Sequence, residues 1–408
     1  MQHAAEDEGA QVVPLTEPAE GVPPVVASPE AFAEVVAAFA AGRGPVASDA
    51  ERASGYRYGQ RTYLVQLRRE GAGTALLDPV ALPDLSPLAR ALEGEEFVLH
   101  AASQDLPGFR EHGLEPGRVF DTELGARILG MERVGLAAVV AELLGLGLAK
   151  EHSAVDWSTR PLPEEWLRYA ALDVELLVPL RDAIAERLED AGKLEWALQE
   201  FEAVRTAPPP APRPEPWRRT SGVHAIGDAR ELAVVRELWL ARDESARRRD
   251  IAPGRVLPDR AIIAAAKARP RSVAELVQLP EFSGKGTRRR ATLWQAAIDR
   301  ARRLAPEQLP SMRGPRNGDS VPPPRAWPER DPAAAARLAA AREALAAISA
   351  RVAVPVENIL QPDLLRRLCW HPPKDTSAKG VGDFLAAGGA RPWQVELTAA
   401  DLSRAMKG

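Results

Sequence analysis

Apolar residues follow a helical spacing in some parts of the chain and a strand spacing in others, and this pattern divides the chain into regions. After residue 28, a helical spacing of apolar positions predicts a helix that begins at Pro29 and includes Phe39. Short apolar or alternating runs then predict strands, in order Val46–Ser48, Tyr63–Leu67, Thr74–Asp78, Phe97–His100 and Val119–Phe120. Helical spacing returns over residues 122–130, 134–145 and 163–203. Strands first, followed by interspersed helices, predict an α/β domain with a mixed sheet and helices packed on it.

Two proline-rich segments separate this domain from helical sequence further on. We therefore predict six regions: a disordered tail over 1–27, the α/β domain over 28–206, a linker over 207–218, an all-α domain over 219–306, a second linker over 307–332 and a second all-α domain over 333–408. The prolines of the first linker also predict that the α/β domain folds without the rest of the chain.

The two all-α domains look like diverged copies of each other. In the first, Val256-Leu257-Pro258-Asp259 follows a long helical pattern, and in the second Ile359-Leu360-Gln361-Pro362-Asp363 does the same. The repeat is about 105 residues long, which indicates a duplicated domain and not a solenoid.

Composition narrows the class of protein. The 408 residues include a single cysteine, Cys369, which excludes an internal disulfide. No stretch approaches the ~20 apolar residues of a membrane span, so we expect a soluble, cytoplasmic protein without a membrane partner. The net charge of −4 conceals an asymmetry, because acidic residues dominate the first half and basic residues dominate 206–305. This asymmetry predicts a polyanionic substrate that one region holds and another cuts.

Four acidic residues, in three separate places, carry the candidate chemistry. Asp49 and Glu51 lie two apart in a strand pattern, so their side chains share a face. Asp105 follows another strand, and Asp173 lies in an apolar helical pattern. Unpaired carboxylates are costly to bury, but convergence on divalent cations would stabilise them. Two such ions, roughly 3.5–4 Å apart, clamp the attacking and leaving oxygens of a phosphodiester.

Each position also has a simpler interpretation. Asp-x-Glu pairs are common on solvated surfaces, and Asp105 or Ser103 could cap a helix that begins at Leu106. Tyr169 lies four residues before Asp173 on the same helical face, where it could be a core residue or could hold a water beside a metal. We expect His100 to be packed and hydrogen-bonded, and not a metal ligand.

Together, Ser48–Glu51, His100–Asp105 and Tyr169–Asp173 resemble the three exonuclease motifs of the DEDD superfamily, and most closely those of ribonuclease D. Tyr169 corresponds to the tyrosine branch of that superfamily, while Ala50 departs from the threonine that is common between the two acids. The two all-α domains resemble HRDC domains. A helicase is excluded because the sequence has no phosphate-binding Gly-x-x-x-x-Gly-Lys-[Ser/Thr] loop.

The resemblance implies a ribonuclease H-like fold and a 3′→5′ exoribonuclease that trims RNA 3′ ends, such as those of tRNA precursors, and releases nucleoside 5′-monophosphates. It implies two Mg²⁺ ions, with Mn²⁺ as a substitute, on Asp49, Glu51, Asp105 and Asp173, and it assigns Tyr169 to the attacking water. A single-stranded RNA 3′ end is the expected partner, with single-stranded DNA as the alternative. A DNA 3′→5′ exonuclease and a nucleic-acid-binding protein with a vestigial nuclease site remain open.

Clusters of basic residues in the first all-α domain are candidate phosphate contacts, because arginine forks pair well with phosphate. The predicted nucleic-acid-binding residues are Arg247, Arg248, Arg249, Lys285, Arg288, Arg289 and Arg290. A solvated helix face is the alternative for each cluster.

Overall fold

A six-stranded mixed sheet forms the centre of the first domain in a computed structural model, which describes residues 12–148, 154–209, 211–314 and 321–407. The strands are β1 Val13–Leu15, β2 Val25–Val26, β3 Arg43–Arg52, β4 Thr62–Glu70, β5 Gly73–Leu77, β6 Glu96–Leu99, β7 Arg118–Asp121 and β8 Leu146–Leu148. The sheet order is β2-β5-β4-β3-β6-β7, in which β4 is antiparallel to β3 and β5. Because β3, β6 and β7 run parallel, their carboxyl ends meet at one edge of the sheet.

Within the part of this domain that the structure describes, eight helices surround the sheet. They are α1 Pro29–Ala41, α2 Ser86–Ala91, α3 Leu106–Glu111, α4 Thr122–Leu129, α5 Leu136–Leu144, α6 Glu164–Glu175, α7 Leu177–Asp190 and α8 Leu194–Arg205. Ser28 caps α1, and its hydroxyl accepts a hydrogen bond from the Ala31 amide. The predicted α/β architecture is confirmed, although the long pattern over 163–203 divides into α6, α7 and α8.

The prediction of a disordered tail over 1–27 is wrong for its second half. Val13–Leu15 pairs in parallel with Leu146–Leu148, and Val25–Val26 pairs with the end of β5. Between these strands, Glu17 forms an ion pair with Arg168 at 2.9 Å. The two strands are only a few residues long and prolines flank them, so local periodicity could not reveal them. Residues 1–11 lie outside the described residues.

Two helical domains follow. The first helical domain contains α9 Ala229–Arg249, α10 Pro253–Val256, α11 Asp259–Ala268, α12 Val273–Leu276, α13 Lys285–Arg288 and α14 Ala291–Arg303. The second helical domain contains α15 Trp327–Arg330, α16 Pro332–Val352, α17 Val356–Ile359, α18 Pro362–Trp370, α19 Ala378–Ala387 and α20 Pro392–Lys407. In each domain, a 21-residue helix precedes a four-residue helix. The two domains share this succession, and the duplication stays a prediction.

The first helical domain has a hydrophobic core of its own, in which Trp217 and Trp294 are buried and Trp239 is half-buried. It contacts the α/β domain through residues 53–61, which we call the 53–61 loop. The Tyr58 hydroxyl donates to Asp243 Oδ1 at 2.9 Å, and the Arg255 Nε donates to the Gly55 carbonyl at 2.6 Å. Polar contacts from a loop therefore dominate this interface.

The second helical domain instead shares one hydrophobic core with the α/β domain. That core joins α4, α5, α7 and α8 to α16, α18, α19 and α20. Trp196 and Trp393 stack across the interface with ring centroids 5.0 Å apart. Trp393 Nε1 donates to Glu200 at 2.9 Å, and Arg391 Nε donates to the same carboxylate at 2.7 Å. The expectation that residues 28–206 fold independently does not fit this shared core.

Among the described residues, no helix combines the length and the apolar character that crossing a lipid bilayer requires.

Candidate active site

The carboxylates of β3 face a cavity of about 750 Å³ at the edge of the sheet where β3 and β6 end. Asp49 is half-buried and Glu51 is 9 % exposed, and both line this cavity as their two-residue spacing predicts. β3 is a central strand, in which Val46 and Ala47 pair with β6 while Asp49 and Glu51 pair with β4. The sheet therefore fixes the position of these two side chains.

Helix α6 brings the third carboxylate to the cavity, where it packs across β3, β4 and β5. Asp173 presents an oxygen that lies within 4.8 Å of oxygens from Asp49 and Glu51. Tyr169, one turn earlier, lines the same cavity and is hydrogen-bonded to Asp173. Residues that are more than 120 positions apart in sequence thus form one oxygen-rich cluster.

Asp105 also lines the cavity but has a different partner. Its Oδ1 accepts a hydrogen bond from Arg52 Nη1 at 2.9 Å, and its carboxyl lies beside that of Asp49. The residue occupies the capping position before α3, but its side chain makes no cap hydrogen bond. The cap interpretation therefore holds for the position of Asp105 and not for its carboxylate, which faces the acidic cluster.

The loop that carries Asp105 is held by Asp121 at the end of β7. Its carboxylate accepts hydrogen bonds from the amides of Ala101 and Ala102, and it also caps α4. Ala101 has a φ of 64°, which is unusual for alanine, so these bonds stabilise a turn that would otherwise be unfavourable. His100 Nδ1 lies 2.9 Å from Thr122 Oγ1, and burial lowers the His100 pKa to about 4. His100 is thus packed and hydrogen-bonded, as predicted.

A second set of contacts fixes α6. The Arg160 guanidinium donates to both oxygens of Asp78, at 2.8 and 2.9 Å, and also to the Tyr63 carbonyl. The buried ring of Trp157 lies 6.5 Å from the Tyr169 ring, centroid to centroid. These contacts hold the segment before α6 against β4 and so orient Tyr169.

The clustered charges shift the acidities of the whole site. Burial raises the pKa of Glu51 well above its usual range, and the charges of Asp49 and Asp173 raise it further. The pKa values of Asp105 and Asp173 are also well above normal, because both groups are desolvated and lie near Asp49. A divalent cation would relieve this repulsion. Asp49, Glu51 and Asp173 offer only oxygen donors, which suits such a cation.

The predicted nucleic-acid-binding residues lie on the first helical domain. Six of them are exposed: Arg247, Arg248, Arg249, Lys285, Arg288 and Arg289. Two of the six also contact acids on their own helix, because Arg247 lies 3.2 Å and Arg248 3.7 Å from Glu244. Arg290 is half-buried, and its pKa is lowered by burial and by the charges of Arg249 and Arg289. The fold thus brings Arg249, at the end of α9, near Arg289 and Arg290, which lie between α13 and α14.

Two residues of the site were not assigned roles from the sequence. Arg52 immediately follows the Asp49–Glu51 pair, and this position of a basic residue beside two acids could have indicated that it belongs to the site. Asp121 follows an apolar strand, just as Asp105 does, but its function as a turn anchor depends on contacts across the loop.

Three family models match parts of the chain. A family model of a 3′-5′ exonuclease matches residues 24–189, and an HRDC model matches residues 231–298. A third model, described as a 3′ to 5′ exonuclease C-terminal domain, matches residues 320–406. The region predicted to be a second, diverged HRDC copy therefore matches a family of a different description.

Individual relatives and solved structures are similar over more than one domain of the chain. Ribonuclease D of Escherichia coli is 32 % identical over 68 % of this chain and 73 % of its own length. Its crystal structure has a TM-score of 0.66 at 25 % identity, covering 94 % of this chain and 98 % of that one. A protein from Bifidobacterium adolescentis has a TM-score of 0.89 at 40 % identity, covering 97 % of this chain and 100 % of that one.

Ribonuclease D of Shewanella sp. (strain ANA-3) is 34 % identical over 55 % of this chain, and the match spans 60 % of that relative's length. The chain therefore matches less than two thirds of the length of this curated relative, although it matches 73 % of the Escherichia coli one. From the matched exonuclease and HRDC regions, the clustered carboxylates and the extent of the Escherichia coli match, we conclude that the chain belongs to the ribonuclease D family.

Proposed function

We propose that this chain is a metal-dependent 3′→5′ exoribonuclease, which hydrolyses RNA from its 3′ end and releases nucleoside 5′-monophosphates. The observation that carries the proposal is the convergence of Asp49, Glu51 and Asp173, whose oxygens lie within 4.8 Å of one another in an open cavity. The related Escherichia coli ribonuclease D is an exoribonuclease involved in structured RNA processing. RNA 3′ ends, such as those of tRNA precursors, are the proposed substrates, which makes the cytoplasm the expected site of action.

Within this proposal, Asp49, Glu51 and Asp173 hold one divalent cation. Asp49 and Asp105 contribute to a second, and Mg²⁺ is the expected ion with Mn²⁺ as a substitute. When bound, the two ions supply an activated water and stabilise the leaving 3′-oxygen. The contribution of the chain is to hold the carboxylates on ordered elements, since Asp49 and Glu51 are paired with β4 and α6 is fixed through Arg160.

Tyr169 has a separate proposed role. Burial and the Asp173 charge raise the pKa of its hydroxyl far above the ordinary value, so the phenol stays protonated at neutral pH. A protonated phenol cannot act as a general base, but it can hold a water by hydrogen bonding. We therefore assign Tyr169 to orienting the attacking water.

The strand of RNA needs a positive surface beyond the cavity. Arg249, Arg289 and Arg290 supply one on the first helical domain. We propose that a single-stranded 3′ end reaches the cavity past this surface, and that Arg247, Arg248, Lys285 and Arg288 extend it. Phosphate contacts carry no sequence information, so the same surface would accept DNA.

A mononucleotide-release assay tests the proposal. Labelled single-stranded RNA and DNA are incubated with the full chain, with and without Mg²⁺, and the products are identified. We expect 5′-mononucleotides from RNA in Mg²⁺ and none in chelator. Asp49→Asn should reduce the rate by far more than tenfold, which corresponds to ~1.4 kcal/mol of barrier, while RNA binding persists. Asp190→Asn, at the exposed end of α7, is the matched control.

Three outcomes would contradict the proposal in different ways. A faster reaction on DNA would make the chain a DNA exonuclease. RNA binding without any product in Mg²⁺ or Mn²⁺ would indicate a vestigial site. An Asp49→Asn variant that keeps more than about a tenth of the wild-type rate would exclude the assigned metal ligands.

A further inference from the structure

Arg52 is a cation inside the acidic cavity. It is the last residue of β3, directly after Glu51, and its side chain is 18 % exposed. Its Nη1 donates to Asp105 Oδ1 at 2.9 Å and to the Gln104 carbonyl at 2.6 Å. The Asp105 side chain is only 4 % exposed, so this ion pair lies on the inner wall of the cavity and not on the outer surface.

The strand is irregular at the point that admits Arg52. Neighbouring side chains on a regular strand point to opposite faces, so Glu51 and Arg52 would not both reach the cavity. The pairing of β3 with β4 shifts register between these two residues, and both line the cavity. Such irregularities re-aim side chains beside active sites. The arginine is therefore directed into the cavity by the backbone.

Of the four carboxylates, Asp105 is the one that forms an ion pair with Arg52, although it also lies beside Asp49. Asp49, Glu51 and Asp173 form the group with mutually close oxygens, and Asp105 is the fourth acid, tied to Arg52. A carboxylate that serves a cation as ligand must give that cation its lone pairs. Arg52 already occupies one oxygen of Asp105, and its charge repels any divalent cation nearby.

We propose that Arg52 is a positioning residue that competes with the second divalent cation for Asp105. The first cation binds at Asp49, Glu51 and Asp173 without disturbing the arginine. The second binds more weakly, because the Arg52–Asp105 ion pair must open. This inference rests on the proposed function, since it presupposes that the site takes two cations.

Binding of Mn²⁺ to the full chain, followed by the electron paramagnetic resonance signal of the free ion, tests the inference without any turnover. The wild type should show a tight and a weak class of site. In Arg52→Met, which removes the charge and keeps the length, the weak class should tighten by roughly tenfold, as expected for removal of a nearby charge from a partly solvated site. The tight class should change much less.

Two further variants make the result specific. Arg52→Lys keeps a cation beside Asp105 and should stay close to the wild type. Arg133→Met removes a charge from an exposed arginine that lines the same cavity, and it should leave the ratio of the two affinities unchanged. Thermal unfolding of every variant shows whether it is folded.

The results that would contradict this inference differ from those that would contradict the proposed function. If a folded Arg52→Met variant keeps the wild-type ratio, or binds the second ion more weakly, Arg52 does not compete for Asp105 and the inference fails. If the wild type binds no Mn²⁺, or Asp49→Asn binds as much as the wild type, the proposed function itself fails.

Discussion

The two helical domains have similar helices but are joined to the nuclease domain in opposite ways. The second helical domain continues the hydrophobic core of α4, α5, α7 and α8. The first helical domain has a separate core and meets the 53–61 loop largely through polar contacts, with Tyr58 packed against its edge. Burial of apolar area is the dominant favourable term in folding. The second helical domain therefore contributes to the stability of the α/β domain, whereas the first helical domain is only held in position against it.

The difference shows what a proline-rich linker does and does not indicate. Prolines are concentrated over 207–218, between α8 and the first helical domain, but the predicted linker ends too late because Trp217 is buried in the core of that domain. They give no information about α8, whose Trp196 is covered by Trp393 from nearly 200 residues further on. A proline-rich linker in the sequence therefore does not show that the domain before it has a separate hydrophobic core.

Removal of the second helical domain should have the largest effect. A chain that ends after Gly314 keeps the first helical domain but exposes the apolar faces of α4, α5, α7 and α8. We expect it to be insoluble or to lose cooperative unfolding, measured by soluble yield and by circular dichroism during urea titration. A soluble, monomeric truncation with a sharp unfolding transition would show that the nuclease domain is stable alone.

Trp393→Ala should be the most damaging single change at this interface. The side chain is 2 % exposed, stacks on Trp196 and donates to Glu200. We expect a loss of about 3–5 kcal/mol in the free energy of unfolding, as for other buried aromatic deletions. Trp239→Ala, at a half-buried tryptophan of the first helical domain, is the control and should cost clearly less. Equal losses would remove the distinction between the two domains.

Arg391→Met should have an intermediate effect. The change leaves the Glu200 carboxylate, whose side chain is 6 % exposed, without its guanidinium partner. A buried charge that loses its partner is destabilising, and with Trp393 Nε1 still donating we expect a loss of about 2 kcal/mol. Adding Glu200→Gln should restore part of this loss in urea unfolding. No recovery in the double variant would mean that Arg391 acts by packing.

Tyr58→Phe should have the smallest effect, confined to the docking of the first helical domain. It removes the hydrogen bond to Asp243, worth about 1 kcal/mol. Hydrogen exchange of the 53–61 loop should become roughly fivefold faster, while the global unfolding midpoint stays unchanged. Asp243→Asn provides an independent test from the other side of the contact. A large fall in the unfolding midpoint would mean that this interface also stabilises the core.

Sequence patterns predicted those features of the fold and the site that depend on residues close together in the chain. The strand spacing of Asp49 and Glu51, the helical spacing of Tyr169 and Asp173, and the succession of elements all follow from local chemistry, and the structure has them. The Arg52–Asp105 pair could not be predicted, because it depends on a register shift in β3 and on the turn before α3.

The short strands β1 and β2 were missed for a related reason. Val13–Leu15 is a strand because Leu146–Leu148 lies beside it, and nothing within three residues of sequence carries that information. The shared core with the second helical domain was hidden in the same way, since its two halves are separated by both linkers and by the first helical domain. The sequence did not predict these strands or the shared core because each depends on contacts between residues that are far apart in the chain.

The shared core also has a consequence for synthesis on the ribosome. The apolar faces of α4, α5, α7 and α8 are complete when Arg205 has been made, but α16 begins at Pro332, about 130 residues later. At roughly 5–20 residues per second, those faces wait on the order of ten seconds for their cover. The first helical domain, with its separate core, is translated during that interval. The nascent chain thus passes through a stage in which its catalytic domain is fully translated but still exposes an uncovered, aggregation-prone surface.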